Sequence, residues 1–273
     1  MKNVILLILC VCHLVSLSQK LTLVNIEELR SFSGSWDYCK IELKPIGDDV
    51  RNFTYYKINE IKSASDNKGI NLKPENPEIH KYKPLNENVT IALQKASRSA
   101  TTFSIDGSVS FYKPTEANGG IVKIGGFKGK PEVNLAPKAA PYKLYYYDKI
   151  TLAKKNTIDE QIRYDNIQKL PEEEQGFASE VNSLVSGIKY YAENDLDNML
   201  FFAFNGDNST ILGMEFQDGK GEKISPVSSS IANSVHTYYF SEKIEPNMKI
   251  ILNVESAKAV KVFPFVLVGL DLP

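Results

Sequence analysis

The stretch Arg98–Tyr112, RSATTFSIDGSVSFY, constrains this chain more than any other. Phe103, Ile105, Val109 and Phe111 share one parity, while Thr102, Ser104, Asp106, Ser108 and Ser110 share the other. One apolar face and one polar face at period 2 is the pattern of a half-buried strand. Asp106-Gly107 resembles a hairpin turn, but a two-residue turn there would set Ile105 opposite Ser108 and drive Val109 and Phe111 outward. The parity therefore predicts one long strand, with Gly107 as a bend, a bulge or a point of close backbone approach. It also predicts that the four apolar residues are buried and that Ser104, Ser108 and Ser110 are the more exposed set.

A strand this amphipathic needs a second layer, and 273 residues supply ample core for one large or two ordinary domains. With 42% hydrophobic and 24% charged residues the chain falls outside the disordered, collagen-like and membrane-embedded classes. The net charge of −1 offers no general attraction for nucleic acid or anionic lipid, so no nucleic-acid partner is expected.

Met1–Ser18 reads as a secretory signal: Lys2 is basic, Val4–Val15 is apolar but short for a span, and Ser16 and Ser18 precede a cut before Gln19. The expected location is secreted, or periplasmic and cell-envelope. No later segment reaches the length of a transmembrane helix. Cleavage would remove Cys10 and Cys12, leaving Cys39 as the single cysteine and no intramolecular disulfide. Cys39 shares parity with Ile41 and Leu43 and reads as a small buried hydrophobe.

Along the chain, Asn25–Phe32 reads as a short helix capped by Asn25. Strands are expected at Trp36–Leu43, Phe53–Ile61, Asn88–Leu93, Ile121–Phe127 and Leu144–Ala153, with a long polar connection over Lys62–Glu87. At Asn156 the pattern turns helical, with Thr157 and Glu160 as a capping box and a second helix opening at Pro171 with Glu172–Glu174. Phe177, Val181, Leu184, Ile188 and Tyr191 fall on one face of that helix. Strands resume as a hairpin of Leu200–Phe204 and Thr210–Phe216, then Val235–Phe240, Lys249–Val254 and Ala259–Leu267. Pro264 places the last at an edge or bulge. The fold class expected is mainly β: two antiparallel β-sandwich-like units joined by a short helical segment. The expected divisions are residues 19–155, 156–195 and 196–273.

The segments YYKINEIKSASDNKGINL, RSATTFSIDGSVSFY and VKVFPFVLVGLDLP together resemble exported bacterial β-sandwich proteins of unknown function. The resemblance implies paired sandwich modules, a secreted or envelope location and no disulfides, and it carries no catalytic residues.

Motifs for chemistry are sparse. Beyond the signal only His80 and His236 remain, in a loop and a strand, without zinc-ligand spacing, and no G-x-S-x-G elbow occurs. Asp66–Gly69, Asp207–Asn208 and Asp218–Gly221 have the residues of calcium loops but also those of ordinary turns, and lack EF-hand spacing. Lys123–Lys130, KIGGFKGK, lacks the P-loop order and reads as a sheet-edge loop. No metal or other cofactor is expected. Asn52, Asn88 and Asn208 head glycosylation sequons that matter only in a eukaryotic secretory pathway.

The most suggestive residues are consecutive tyrosines, above all Tyr145, Tyr146 and Tyr147. On a strand, three in a row cannot all enter one core layer. Outward members would form a platform for a protein or glycan, unless a second layer covers that face. The expected function is an exported, non-enzymatic binding or structural module that contacts a protein or glycan through a sheet face or loops. The competing class is a secreted hydrolase using paired carboxylates, with Asp106, Asp148 and Glu215 as candidates.

Overall fold

The computed structural model describes residues 21–30, 38–47, 50, 52–74, 80–138, 140–193 and 195–273. The expected signal at 1–18, its cleavage point, and Trp36 lie outside the described residues. The chain is mainly β, with four antiparallel sheets and three helices among those residues. Its contacts cluster into two units, one formed by the residues up to Asn118 together with Ser256–Pro273, the other by Gly119–Glu255.

The first unit contains β1 (Leu21–Leu29), β2 (Tyr38–Pro45), β3 (Tyr55–Asp66), β4 (Lys83–Pro84), β5 (Val89–Leu93), β6 (Thr102–Tyr112) and the final strand, β15 (Lys261–Asp271). One sheet has the order β1-β2-β5 and the other β15-β6-β3-β4. Inward residues of both, among them Ile41, Leu43, Ile91, Phe103, Ile105 and Phe265, belong to one apolar cluster. The helix expected from Asn25 is instead β1. A register shift between Leu23 and Asn25 breaks its alternation, so Leu23 and Ile26 both pack inward although their parity differs.

Within the Arg98–Tyr112 stretch, Thr102–Tyr112 forms the single strand β6, paired with β3 and β15. Phe103, Ile105, Val109 and Phe111 are all buried. Gly107 is a point of close approach: a Cβ there would lie 2.6 Å from the Glu60 carbonyl oxygen and 3.0 Å from Phe265 Cζ. The expected exposure of the opposite face needs correction, because Ser108 and Ser110 are buried while Ser104 is half-buried. The cause is a bulge in β3. It turns Asn59 across the polar face, donating from Nδ2 to Ser108 Oγ (3.3 Å) and accepting from Ser110 Oγ (3.5 Å). Beyond them the Tyr82 ring lies against Tyr112, with centroids 5.6 Å apart. Pro264 sits on β15, an edge strand of its sheet, where proline is tolerated. Cys39 is fully buried, and desolvation, with Glu28 adding to it, pushes its thiol up to about 11.

The second unit contains β7 (Ile121–Ile124), β8 (Tyr142–Tyr147), helices α1 (Lys149–Asn156), α2 (Glu160–Ile167) and α3 (Glu172–Gly187), then β9 (Met199–Gly206), β10 (Ile211–Gln217), β11 (Lys223–Ile224), β12 (Ser228–Ala232), β13 (Val235–Tyr239) and β14 (Lys249–Val254). The sheets run β11-β10-β14-β7 and β12-β13-β9-β8. Three expectations change here. The strand expected over Leu144–Ala153 stops at Tyr147, because Asp148 accepts the Thr151 N–H at 2.7 Å and caps α1. Thr157 ends α1 rather than opening a helix; Asp159 caps α2 by accepting from Gln161 N at 2.9 Å. The hairpin of Leu200–Phe204 with Thr210–Phe216 does not form, since β9 lies between β8 and β13 and β10 between β11 and β14.

Residues Met199–Phe204 of β9 are all buried because its sheet is covered on both faces. Leu200, Phe202 and Phe204 join Phe216, Ile250 and Leu252 of the other sheet. Phe201 and Ala203 face the opposite way, clustering with Leu152 of α1 and Val185 of α3. The helices are thus a layer over one face of the β12-β13-β9-β8 sheet.

The divisions drawn from sequence treat each unit as continuous, whereas the second unit is inserted between two paired strands of the first, β6 and β15. Insertion requires that the two ends of the inserted piece lie close together. They do: β7 pairs with β14, and Val254 N donates to Gly120 O at 2.8 Å. Residues 156–195, expected as a connector, lie within the second unit as part of its helical layer.

Candidate functional site

Helices α1–α3 do not seal the sheet face they cover. A cavity of about 450 Å³ remains between β8 and the three helices, within the size range of small-molecule sites. Its sheet wall is the row Lys143, Tyr145, Tyr147, which period 2 places on one face of β8. Its helical wall is mostly apolar, with Ile167, Leu170, Phe177, Val181 and Val185.

The three tyrosines divide between layers. Tyr146 is buried in the core between the sheets, its ring 5.1 Å from Phe127 and 5.6 Å from Phe202. Burial, with Asp148 adding to it, pushes its hydroxyl up to about 12. Tyr145 and Tyr147 face the helices. Tyr145 is half-buried with its ring 5.7 Å from Phe177, and Tyr147 is 5% exposed. None is an open platform: the outward-facing expectation is corrected by the helical layer. Two of the three nevertheless line the cavity. No hydrogen bond to the Tyr147 hydroxyl is formed among the described residues, and burial, with Glu132 nearby, raises its pKa so that it stays a donor.

Polar groups gather where α1, α2 and α3 meet. Arg163 donates from Nε to Asn182 Oδ1 (2.6 Å), from Nη2 to Ser186 Oγ (2.8 Å), and from Nη1 to the Lys155 (3.4 Å) and Ile158 carbonyls. It thereby satisfies carbonyls at the end of α1 and ties the helices together. Its acceptors are all neutral. Lys155 is neutralised by Glu132 at 2.7 Å, Lys143 lies exposed on β8, and Glu174 is the one acid on the wall.

The hydrolase candidates are not brought together at this cavity. Asp148 caps α1, while Glu215 on β10 pairs with Lys223 (2.9 Å) and accepts from Asn253 Nδ2 (3.0 Å). Asp106 belongs to β6 of the first unit. The candidate calcium turns are closed by their own backbone: Asp66 accepts from the N–H groups of Ser97, Lys68 and Ile70, Asp207 from Ser209, and Asp218 from Lys220 and Glu222. At Asp66 burial raises the carboxyl pKa, but the three backbone donors outweigh it and hold the group below the usual carboxylate range.

The Lys123–Lys130 loop tucks Phe127 into the core, and Lys128 donates to the Ile244 carbonyl at 2.7 Å. His80 meets the Ile58 carbonyl at 3.2 Å, and His236 packs against Phe204 with its pKa lowered by burial. Asn52 is exposed, while Asn88 and Asn208 are half-buried. Among the described residues no helix is long and apolar enough to cross a membrane.

Sequence reasoning passed over Arg163 and placed Phe177 and Val181 on a helix face without assigning that face a partner. Two signals were available: an apolar stripe on α3 that had to cover something, and the unbroken apolar run Met199–Phe204, which calls for cover on both faces. No protein-family model matches the chain, and neither a curated protein nor a solved structure is similar to it.

Proposed function

We propose that this chain is an exported, non-enzymatic binding module whose ligand occupies the cavity between β8 and helices α1–α3. The observation that carries this reading is the cavity itself: a space walled by Tyr145, Tyr147 and the apolar side chains of the helices, with polar groups contributed by β8, β9 and the helices. Aromatic and aliphatic walls with sparse polar groups are the usual make-up of a small-molecule site. Export rests on the sequence of Met1–Ser18. Each unit is read as a two-sheet sandwich, supported by the apolar clusters that draw residues from both sheets of a unit. The hydrolase reading loses its support where Asp148 and Glu215 are held in capping and ion-pair roles.

A neutral fluorescent probe, N-phenyl-1-naphthylamine, tests the reading. It should bind at one saturable site, and Ala178→Trp, which places an indole in the cavity wall, should weaken binding by about tenfold or more without lowering the melting temperature. Absence of saturable binding, or equal binding to the filled variant, would refute the reading.

A further inference from the structure

We infer that the occupant of this cavity is an amphipathic anion, an acid head group on an apolar body, held with its head toward Arg163 and Tyr147. The inference rests on the binding reading above and adds the ligand's chemistry. Three cations line the cavity, Lys143, Lys155 and Arg163, against the single acid Glu174. Lys155 is neutralised by Glu132, but the half-buried Arg163 guanidinium meets only neutral oxygens. A partly desolvated cation beside apolar surface is stabilised by a counter-ion, and no carboxylate among the described residues pairs with this one.

The second observation is independent of charge. Tyr147 is more than nine-tenths buried, lines the cavity, and finds no hydrogen-bond partner among the described residues. Its hydroxyl oxygen is not sealed from solvent, so it is open to donate to a molecule in the cavity. An O–H donor together with a guanidinium whose direct acceptors are all neutral, Glu160 being reached only through Ser186 Oγ (3.5 Å), is the pair of features an acid head group needs. Both line the same cavity, Tyr147 from β8 and Arg163 from α2. The remaining wall, Leu170, Phe177 and Val181, suits a hydrocarbon chain or ring.

The test compares decanoic acid with 1-decanol by calorimetry on the full secreted chain at neutral pH. The acid is expected to bind at least about tenfold more tightly, and Tyr147→Phe, which keeps the ring, to remove about tenfold of the acid's affinity but a smaller factor of the alcohol's, since a charge-assisted hydrogen bond is stronger than a neutral one. Equal binding of acid and alcohol, or equal effects of Tyr147→Phe on both, would overturn the inference and leave the binding reading standing. Binding of neither would overturn both.

Discussion

Gly107→Ala is the sharpest test of the first unit's packing, because two opposed effects have different signs. In a strand interior glycine is destabilising by about 0.5–1 kcal/mol relative to alanine, so with room available the substitution would stabilise the protein. There is no room: the new Cβ would lie 2.6 Å from the Glu60 carbonyl oxygen and 3.0 Å from Phe265 Cζ. The nearest atom is backbone and cannot rotate away. Relief requires shifting β3 at its bulge or β15 at Phe265, both paired with Gly107 in the ladder. Overpacking of this kind costs about 1–3 kcal/mol, more than the conformational gain, and the net effect should be destabilising. Native-state hydrogen exchange at the β6 amides reads the change locally, and urea unfolding reads it globally. Gly129→Ala, where the added methyl would meet nothing within 4 Å, is the control and should be neutral to stabilising by up to about 1 kcal/mol. A stabilised Gly107→Ala would refute the close approach and with it the register of β3 on β6.

Asp66 contributes a pH-dependent share of stability. Its carboxyl is held below the usual range, so that share is complete above the unfolded aspartate value of about 3.9 and is lost as pH falls through the folded value. Asp66→Asn, which turns an amide against the Ser97 N–H, should cost about 1–3 kcal/mol near neutrality and flatten the acid limb of the denaturation midpoint plotted against pH. Cys39, with its thiol pushed up to about 11 and fully buried, should resist alkylation in the native protein at pH 8 and react once urea unfolds it. Tyr147→Ala should cost about 3–5 kcal/mol in thermal or chemical unfolding if its ring packs as a core aromatic. Tyr190→Ser, at an 81% exposed position, should fall within about 0.5 kcal/mol of wild type.

The long strand Thr102–Tyr112 was legible because its alternation is unbroken and its one glycine sits where a neighbouring backbone presses in. The edge placement of Pro264 and the burial of Cys39 followed from equally local chemistry. Legibility failed where a bulge changes parity: Val24 in β1 hides a strand, and Asn59 in β3 covers the serines of β6 from another part of the chain. It failed again where one residue of a capping pair decides, Asp148 and Asp159 rather than Thr157. Pairing partners were not local information either, so β9 and β10 resembled a hairpin although each belongs to a different sheet. Of the run Tyr145–Tyr147, two members line the cavity and Tyr146 lies in the core between the sheets. The helical layer that turns an open platform into a cavity wall came from residues 149–187, read from sequence as a strand end and a connector.

The central claim is that the cavity between β8 and α1–α3 holds an apolar ligand, and methyl NMR tests it most directly. With an aliphatic acid in excess, intermolecular NOEs should reach the methyls of Ile167, Leu170, Val181 and Val185, which line the cavity, and not those of Leu43 or Ile105 in the first unit's core. NOEs confined instead to exposed methyls such as Val262, Val266 and Val268 on β15 would show surface association and contradict the account.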